Sequence, residues 1–375
     1  MKYVLFRPDE LSAEQWQIYA ALRDASARYD SPFFDPDFAR LVGEVRDDLR
    51  IGFASDRDGV FAVWPMHVRP GNWARPVASP FADWNGPILA ANVELSYQEI
   101  LAGFDVSGFT TNGLLPRAEV KAEGRTRIGA NITDFSAGFD AFLTDQQRLW
   151  PKHFKKMRRI ARTIKRDFSE MRVVWDDRSD ASFERLISLK REQYQRTGFH
   201  DVLKAPWVRA LFERLRNFEG KRLRARLISL KFDGALASAE FNLQSNRVLH
   251  GWITAFDQAY KAYSPGHVLL QEAFQKMNEN GLFIYDSGPG HDAYKRFHSN
   301  LQVPMETGIV PGAPLSLSPA RVAGQAWRFG EHVMPPPGRQ LMARARRRMD
   351  QIAAVETTLS ARASGMFNAL NSRSE

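Results

Sequence analysis

The sequence predicts an α/β (α+β) protein in which mixed, mostly antiparallel sheets are flanked by helices and followed by a basic helical tail. Three observations carry this prediction. Residues 222–256 contain three β-patterned runs, RLRARLISL, ALASAEFNLQ and RVLHGWITAF, separated only by KFDG and SN, the pattern of an antiparallel meander. The segment HVLLQEAFQKMNENG then places Leu269, Leu270, Ala273, Phe274 and Met277 on one helical face. An apolar run, LFIYDSG, follows at once and reads as another strand.

The other elements follow in order. SAEQWQIYAALRDA has helical spacing after a Ser cap. RIGFAS and GVFAVWPMHVR flank the turn DRDG and predict a hairpin, while SPFADWNGPIL is loop-like. Residues 139–169 predict one helical stretch, and VVWDD a strand. SDASFERLISLKREQYQRTG predicts a helix capped by Ser or Asp with Gly198 near its end, and APWVRALFERLRNFEG a helix opened by Pro and closed by Gly220. DQAYKAYSPG is a loop, DAYKRFHSN a short helix and VPMETGIV a last strand. PGAPLSLSP and MPPPG read as linkers, and residues 339–370 as an exposed helix with weak apolar patterning. No internal repeat is evident. These changes of character divide the chain into 1–140, a connecting helix at 141–170, 171–310 and a tail at 311–375.

Composition excludes several classes of chemistry. The 375 residues include no cysteine, which rules out disulfides, a thiolate nucleophile and thiolate-ligated metal sites. The start, MKYVLFRPDELSAEQW, has only a short apolar stretch before Arg7 and Asp9, so no signal peptide is expected. No apolar run reaches the ~18 residues of a membrane span, and a cytoplasmic protein is expected. The net charge of +9 is concentrated: residues 152–166 carry eight Lys/Arg and no acid, and residues 311–375 carry nine Arg against four acids. Two basic segments on a mildly acidic body predict local contact with anions, not general nucleic-acid affinity. The eight histidines are scattered and show no metal-ligand spacing, so no metal is expected.

One motif suggests a different chemistry. YDSGPGHDAYKRF contains G-x-G-x-x-A at Gly288, Gly290 and Ala293, with an acid, Glu306, downstream. That is the spacing of a dinucleotide fingerprint. The context contradicts it. The strands before it form a meander, the helix after it is too short for a crossover, and Pro289 removes an N–H from the turn.

The order strand–strand–strand–helix–strand–helix–strand is instead that of the GNAT acyltransferase core. Its second and specific point of likeness is local. YSPGHVLLQEAF followed by GLFIYDSGPGHDAYKRF resembles the FemAB-like, CelD-like branch of the GNAT superfamily, which shows Y-x-x-Y-S-P-G before the crossover helix and D-x-G-x-G-x-x-x-Y-K after the next strand. Here these residues are Tyr260, Tyr263, Ser264, Pro265 and Gly266, then Asp286, Gly288, Gly290, Tyr294 and Lys295. SPFFDPDF, KHFKKMRRIARTIKR and LKREQYQRTG are similar to earlier family segments. The resemblance implies two GNAT-like domains in tandem, the second carrying an acyl donor in the gap between two splayed parallel strands. It implies a role in bacterial cell-surface polysaccharide synthesis, with holdfast proteins closest in layout. The expected function is transfer of an acetyl group from acetyl-CoA to an amino sugar of a polysaccharide precursor, lipid-linked or free. The alternatives are aminoacyl transfer from tRNA, as in FemAB proteins, and a non-catalytic regulatory protein at the inner membrane. One departure stands out: the usual pyrophosphate loop, Q/R-x-x-G-x-G/A, is here KAYSPG.

Candidate residues follow. Amine attack on a thioester needs a proton acceptor and oxyanion donors. Glu240, His250 and Asp257 lie on or next to the central strands, with Glu240 first because a carboxylate inside a sheet is rarely left unpaired. Lys295 is the fourth catalytic candidate, able to hold a phosphate of donor or acceptor. Tyr263, Ser264, Pro265, Gly266 and His267 are expected to bind the cofactor, whether Ser264 acts as a plain N-cap or its loop as an anion cradle. Asp286, Gly288, Gly290 and Tyr294 are expected at the substrate. The 152–166 helix is expected to pack Phe154, Met157, Ile160 and Ile164 and to turn its cations outward, toward membrane or tRNA. In the tail, residues 339–348 are a candidate membrane contact, and Arg344 and Arg348 form an R-x-x-x-R pair that suits membrane or a cyclic dinucleotide.

Overall fold

The computed structural model describes residues 1–117, 125–290, 294–312, 333–358, 362, 364 and 365. The first half runs β1 (Lys2–Phe6), α1 (Ala13–Asp24), α2 (Pro36–Gly43), β2 (Leu49–Asp56), β3 (Gly59–Arg69), β4 (Trp73–Pro76), β5 (Ile88–Leu89), α3 (Tyr97–Gly103), β6 (Gly108–Leu114) and β7 (Arg125–Asp134). The second runs α4 (Phe139–Leu149), α5 (Pro151–Asp167), β8 (Met171–Val174), α6 (Asp180–Thr197), α7 (Pro206–Asn217), β9 (Arg224–Phe232), β10 (Ala235–Gln244), β11 (Val248–Phe256), α8 (Pro265–Glu279), β12 (Ile284–Pro289), β13 (Leu301–Pro311) and α9 (Pro336–Val355).

The expected α/β class is present, with a mixed sheet flanked by helices. The sheet is continuous across the whole chain, in the order β1-β2-β3-β4-β6-β13-β7-β12-β11-β10-β9-β8, with β5 beside β3. β13, from the end of the second half, lies between β6 and β7 and is antiparallel to both. The meander β9-β10-β11 forms as its turns predict. β12 returns parallel to β11 after α8.

Local chemistry accounts for most boundaries. Ser12 caps α1 in a capping box with Gln15, and Ser96 does the same for α3 with Glu99. Gly198 ends α6 in the left-handed conformation. The predicted helix over 139–169 is two helices. Trp150 leaves helical geometry before Pro151, because proline disfavours the α conformation in the residue before it and starts a new helix well. The short helix predicted over 292–300 reduces, among the described residues, to a single 3-10 turn at Lys295–Phe297.

Three apolar clusters fill the two sides of the sheet. One gathers the first half with α6 and α7 and includes Phe33, Phe38, Phe212 and Phe241. A second packs α5 and α8 against β9–β12. A third lies under α3. In α5 the apolar stripe Phe154, Met157, Ile160 and Ile164 is buried, and all eight cations face solvent, as the sequence predicts. The tail helix departs from expectation. Its C-terminal end is not exposed: Ile352, Ala354 and Val355 are buried. The Arg69 guanidinium donates to the Ala354 and Glu356 carbonyls at 2.9 and 3.1 Å, and Trp207 Nε1 to Val355 at 2.9 Å. A cation at the last carbonyls of a helix satisfies orphan acceptors and meets the negative end of the dipole. No described helix is long and apolar enough to cross a membrane.

Candidate active site

The parallel ladder between β11 and β12 is short. It pairs Val248 with Ile284, Leu249 with Tyr285 and His250 with Asp286, and ends there. β11 continues to Phe256 against β10 alone, while β12 continues against β7 through an irregular step between Asp286 and Pro289. The two strands therefore part at His250 and Asp286. Two groups of buried polar side chains sit at this parting.

The first group is Glu240 on β10 and Tyr285 on β12. The Tyr285 hydroxyl lies 2.9 and 3.0 Å from the two Glu240 carboxyl oxygens. β11 passes between them at Gly251. A Cβ there would stand 2.1 Å from Tyr285 Oη and 3.0 Å from Glu240 Oε1, so only glycine lets the pair meet across the strand. Burial is the largest influence on Glu240 and raises its pKa to about 7, against smaller opposing effects from the Tyr285 hydrogen bond and the His250 charge. The Tyr285 phenol is pushed well above its usual value by burial and by Glu240, so it stays protonated.

The second group is centred on His250, fully buried on β11. Its Nε2 lies 3.1 Å from Asp83 Oδ2. Its Nδ1 lies 3.2 Å from Asp286 Oδ2, an ion-pair contact. Burial alone would lower the imidazole pKa. The Asp286 and Asp83 carboxylates overcome it and raise the value to about 10. His250 is thus an imidazolium at neutral pH, with no lone pair to accept a proton. Asp286 also accepts from Trp84 Nε1 and from the Gly288 amide at 2.7 Å. Burial pushes Asp286 up, but His250 and these donors bring it below its ordinary value. Phe33, from the early SPFF segment, packs edge-on against His250 at 4.8 Å.

The glycine turn follows directly. Gly288 has φ +68°, and a Cβ on it would stand 2.3 Å from Asp83 Oδ2. The turn is held from outside: Asn131 Nδ2 donates to the Gly290 carbonyl at 3.0 Å, and Lys295 Nζ to the Pro289 carbonyl at 2.7 Å. Lys295 is buried, and its ammonium braces the turn. Tyr294 packs at the edge of the cluster that contains Tyr285, while Ala293 lies outside the described residues.

The loop before α8 is arranged differently from a simple cap. Ser264 is left-handed (φ 49°, ψ 52°), and its hydroxyl makes no capping bond. A Cβ on Gly266 would meet nothing within 4 Å, so the helix start borders open space. Tyr263 Oη donates to Asp167 Oδ2 at 3.0 Å, and His267 Nδ1 lies 2.9 Å from His298 Nε2. Asp257 is spent on its own turn, accepting from the Ala259 amide at 2.9 Å and from Arg185 at 2.7 Å. Burial works against its ionisation, but these two donors hold its pKa below the usual range. It is therefore ill placed to accept a proton.

The structure brings Glu240, His250, Asp286, Gly288, Gly290 and Lys295 to one place and leaves Asp257 and the tail arginines elsewhere. Arg348 is half-buried on α9, and the Arg344 side chain lies outside the described residues. Sequence reasoning missed Tyr285, Asp83 and Trp84. Tyr285 was visible only as a strand residue. Asp83 and Trp84 sit in a loop 167 and 202 residues before their partners, and no local pattern marks them.

Comparison with known proteins bears on the fold. Residues 151–296 match the family model of an acetyltransferase (GNAT) domain. No curated protein sequence matches the chain. Among solved structures, FemX is similar at TM-score 0.52 and 13% identity, over 82% of this chain and 96% of that one. The C-terminal domain of a provisionally named lysylphosphatidylglycerol synthetase from Agrobacterium fabrum gives TM-score 0.49 and 12% identity, over 84% and 96%. A tandem GNAT protein from the clavulanic acid pathway gives 0.48 and 11%, over 83% and 98%. At 13% identity the likeness to FemX is one of fold. The class defined is one of fold, a GNAT-like fold, and the stretch similar to the GNAT domain model lies in the second half of the chain.

Proposed function

We propose that the protein is an N-acyltransferase that takes an acetyl group from acetyl-CoA and passes it to an amino sugar of a cell-surface polysaccharide precursor. The observation that carries this reading is the parting of β11 and β12 beside the open start of α8, with the Glu240–Tyr285 pair at the point of parting. The pantetheine arm would enter the gap, and the pyrophosphate would lie at the α8 start, where the helix dipole and the open space beside Gly266 favour an anion.

The chemistry assigned to the chain is proton transfer and positioning. The acceptor amine must lose a proton as it attacks the thioester carbon, the C–S bond breaks, and the CoA thiolate is protonated. Glu240, with its pKa near neutrality, takes the amine proton through a relay, since its carboxyl is almost wholly buried. Tyr285 stays a hydroxyl donor and orients Glu240. His250, Asp286, Asp83 and Lys295 hold the parting strands and the glycine turn in register. Incubation with acetyl-CoA and amino-sugar acceptors should release free CoA. Absence of acetyl-CoA binding by calorimetry would reject the donor.

A second reading, aminoacyl transfer from tRNA, is favoured by the eight exposed cations of α5. It requires salt-dependent binding of charged tRNA, and lack of binding at low salt would remove it. The same face and the tail residues 339–348 are our proposed contacts for anionic lipid head groups, with a cyclic dinucleotide as the alternative ligand at Arg344 and Arg348.

A further inference from the structure

Three histidines that are far apart in the sequence meet in one cluster. His153 is the third residue of α5, His267 the third residue of α8, and His298 follows the turn at Lys295–Phe297. Their ring centroids stand 4.9, 5.2 and 5.7 Å apart. One ring nitrogen from each can be chosen so that all three lie within 4.8 Å of one another.

A hydrogen bond explains only two of them. His267 Nδ1 and His298 Nε2 are 2.9 Å apart, which needs one donor and one acceptor. His153 is left over. Its ring stacks on Phe297 at 4.2 Å and 6°, and its Nε2 is buried with no hydrogen-bond partner. A buried ring nitrogen without a partner is unfavourable unless something supplies one.

We infer that His153, His267 and His298 form a binding site for a divalent transition-metal ion of the zinc class. Three imidazoles suit zinc, which takes nitrogen ligands at about 2.0–2.1 Å and leaves a fourth position for water or an anionic oxygen. Tetrahedral ligation at that distance sets ligand atoms about 3.3 Å apart. The present spacing, from 2.9 Å to at most 4.8 Å, brackets this value. Ligation through both nitrogens of the His267–His298 contact would need the donor of that pair to carry its proton on its other ring nitrogen. Lys156, exposed on α5, opposes a dication weakly through water. The ion would tie the starts of α5 and α8 to the segment leading into β13.

The test uses the untagged full-length chain, stripped with a chelator and dialysed. Calorimetric titration with zinc chloride is expected to show one ion bound per chain. Cobalt(II) in its place is expected to give the visible absorption of a low-coordinate nitrogen site. His153→Phe keeps the stack on Phe297 and removes the nitrogen, and His267→Gln removes a second ligand. Each is expected to weaken zinc at least ~10-fold, with circular dichroism confirming that both variants fold. Failure of the wild-type chain to take up stoichiometric zinc, or equal affinity in both folded variants, would overturn the assignment.

Discussion

At Glu240 the fold sets a proton affinity that sequence alone does not give. Its pKa moves from 4.5 to about 7, so the native chain holds an extra proton between those values. The contribution of Glu240 to stability is then greatest below 4.5 and falls as pH rises toward 7, by about 3 kcal/mol at ~1.36 kcal/mol per unit. Glu240→Gln should flatten this part of the stability–pH curve, read by denaturant titration at several pH values. The same variant should lower kcat by roughly 10²-fold or more and abolish the pH limb near 7. A merely structural carboxyl would leave that limb in place. Gly251→Ala tests the contact between the two side chains: a Cβ 2.1 Å from Tyr285 Oη should destabilise the fold by about 1–3 kcal/mol. His250 behaves in the same sense as Glu240, in a higher pH window. Its pKa is raised from 6.5 to about 10, so its contribution is complete below 6.5 and is lost as pH rises through 10. Asp286→Asn removes one of its two carboxylates and should destabilise by about 3–5 kcal/mol. Glu240 and Asp286 could be named from the sequence because they stand beside a strand meander and a glycine turn. Asp83 could not, because the reason for its placement is a contact made in space.

At the scale of elements, apolar period and punctuation were enough for the meander, α6, α7 and α8. The stretch over 139–169 misled because both its helices carry the helical period, and only Pro151 marks the break. The tail misled for another reason. Among its described residues the buried side chains fall in its last turn, and that turn is held by Arg69 and Trp207 from two other elements. Arg69→Met should therefore release the end of α9, raising hydrogen exchange at Ile352–Val355 and reducing stability by about 1–3 kcal/mol. Unchanged exchange there would mean that Trp207 and the buried apolar side chains suffice.

For the whole molecule, the continuous sheet is the feature least legible in the sequence. Strand patterns show which segments are strands but carry no information about partners more than half the length of the chain away. Thr307 on β13 donates to the Thr111 carbonyl across 196 residues. Because β13 joins β6 to β7, the two halves should unfold together, as a single transition in scanning calorimetry. Two separated transitions would show that the halves are energetically independent. The central claim, an acyl donor seated where β11 and β12 part, is tested most directly by hydrogen–deuterium exchange with and without saturating acetyl-CoA. The account predicts added protection confined to residues 251–267 and 284–290. No protection there, or protection confined to the first half, would contradict it.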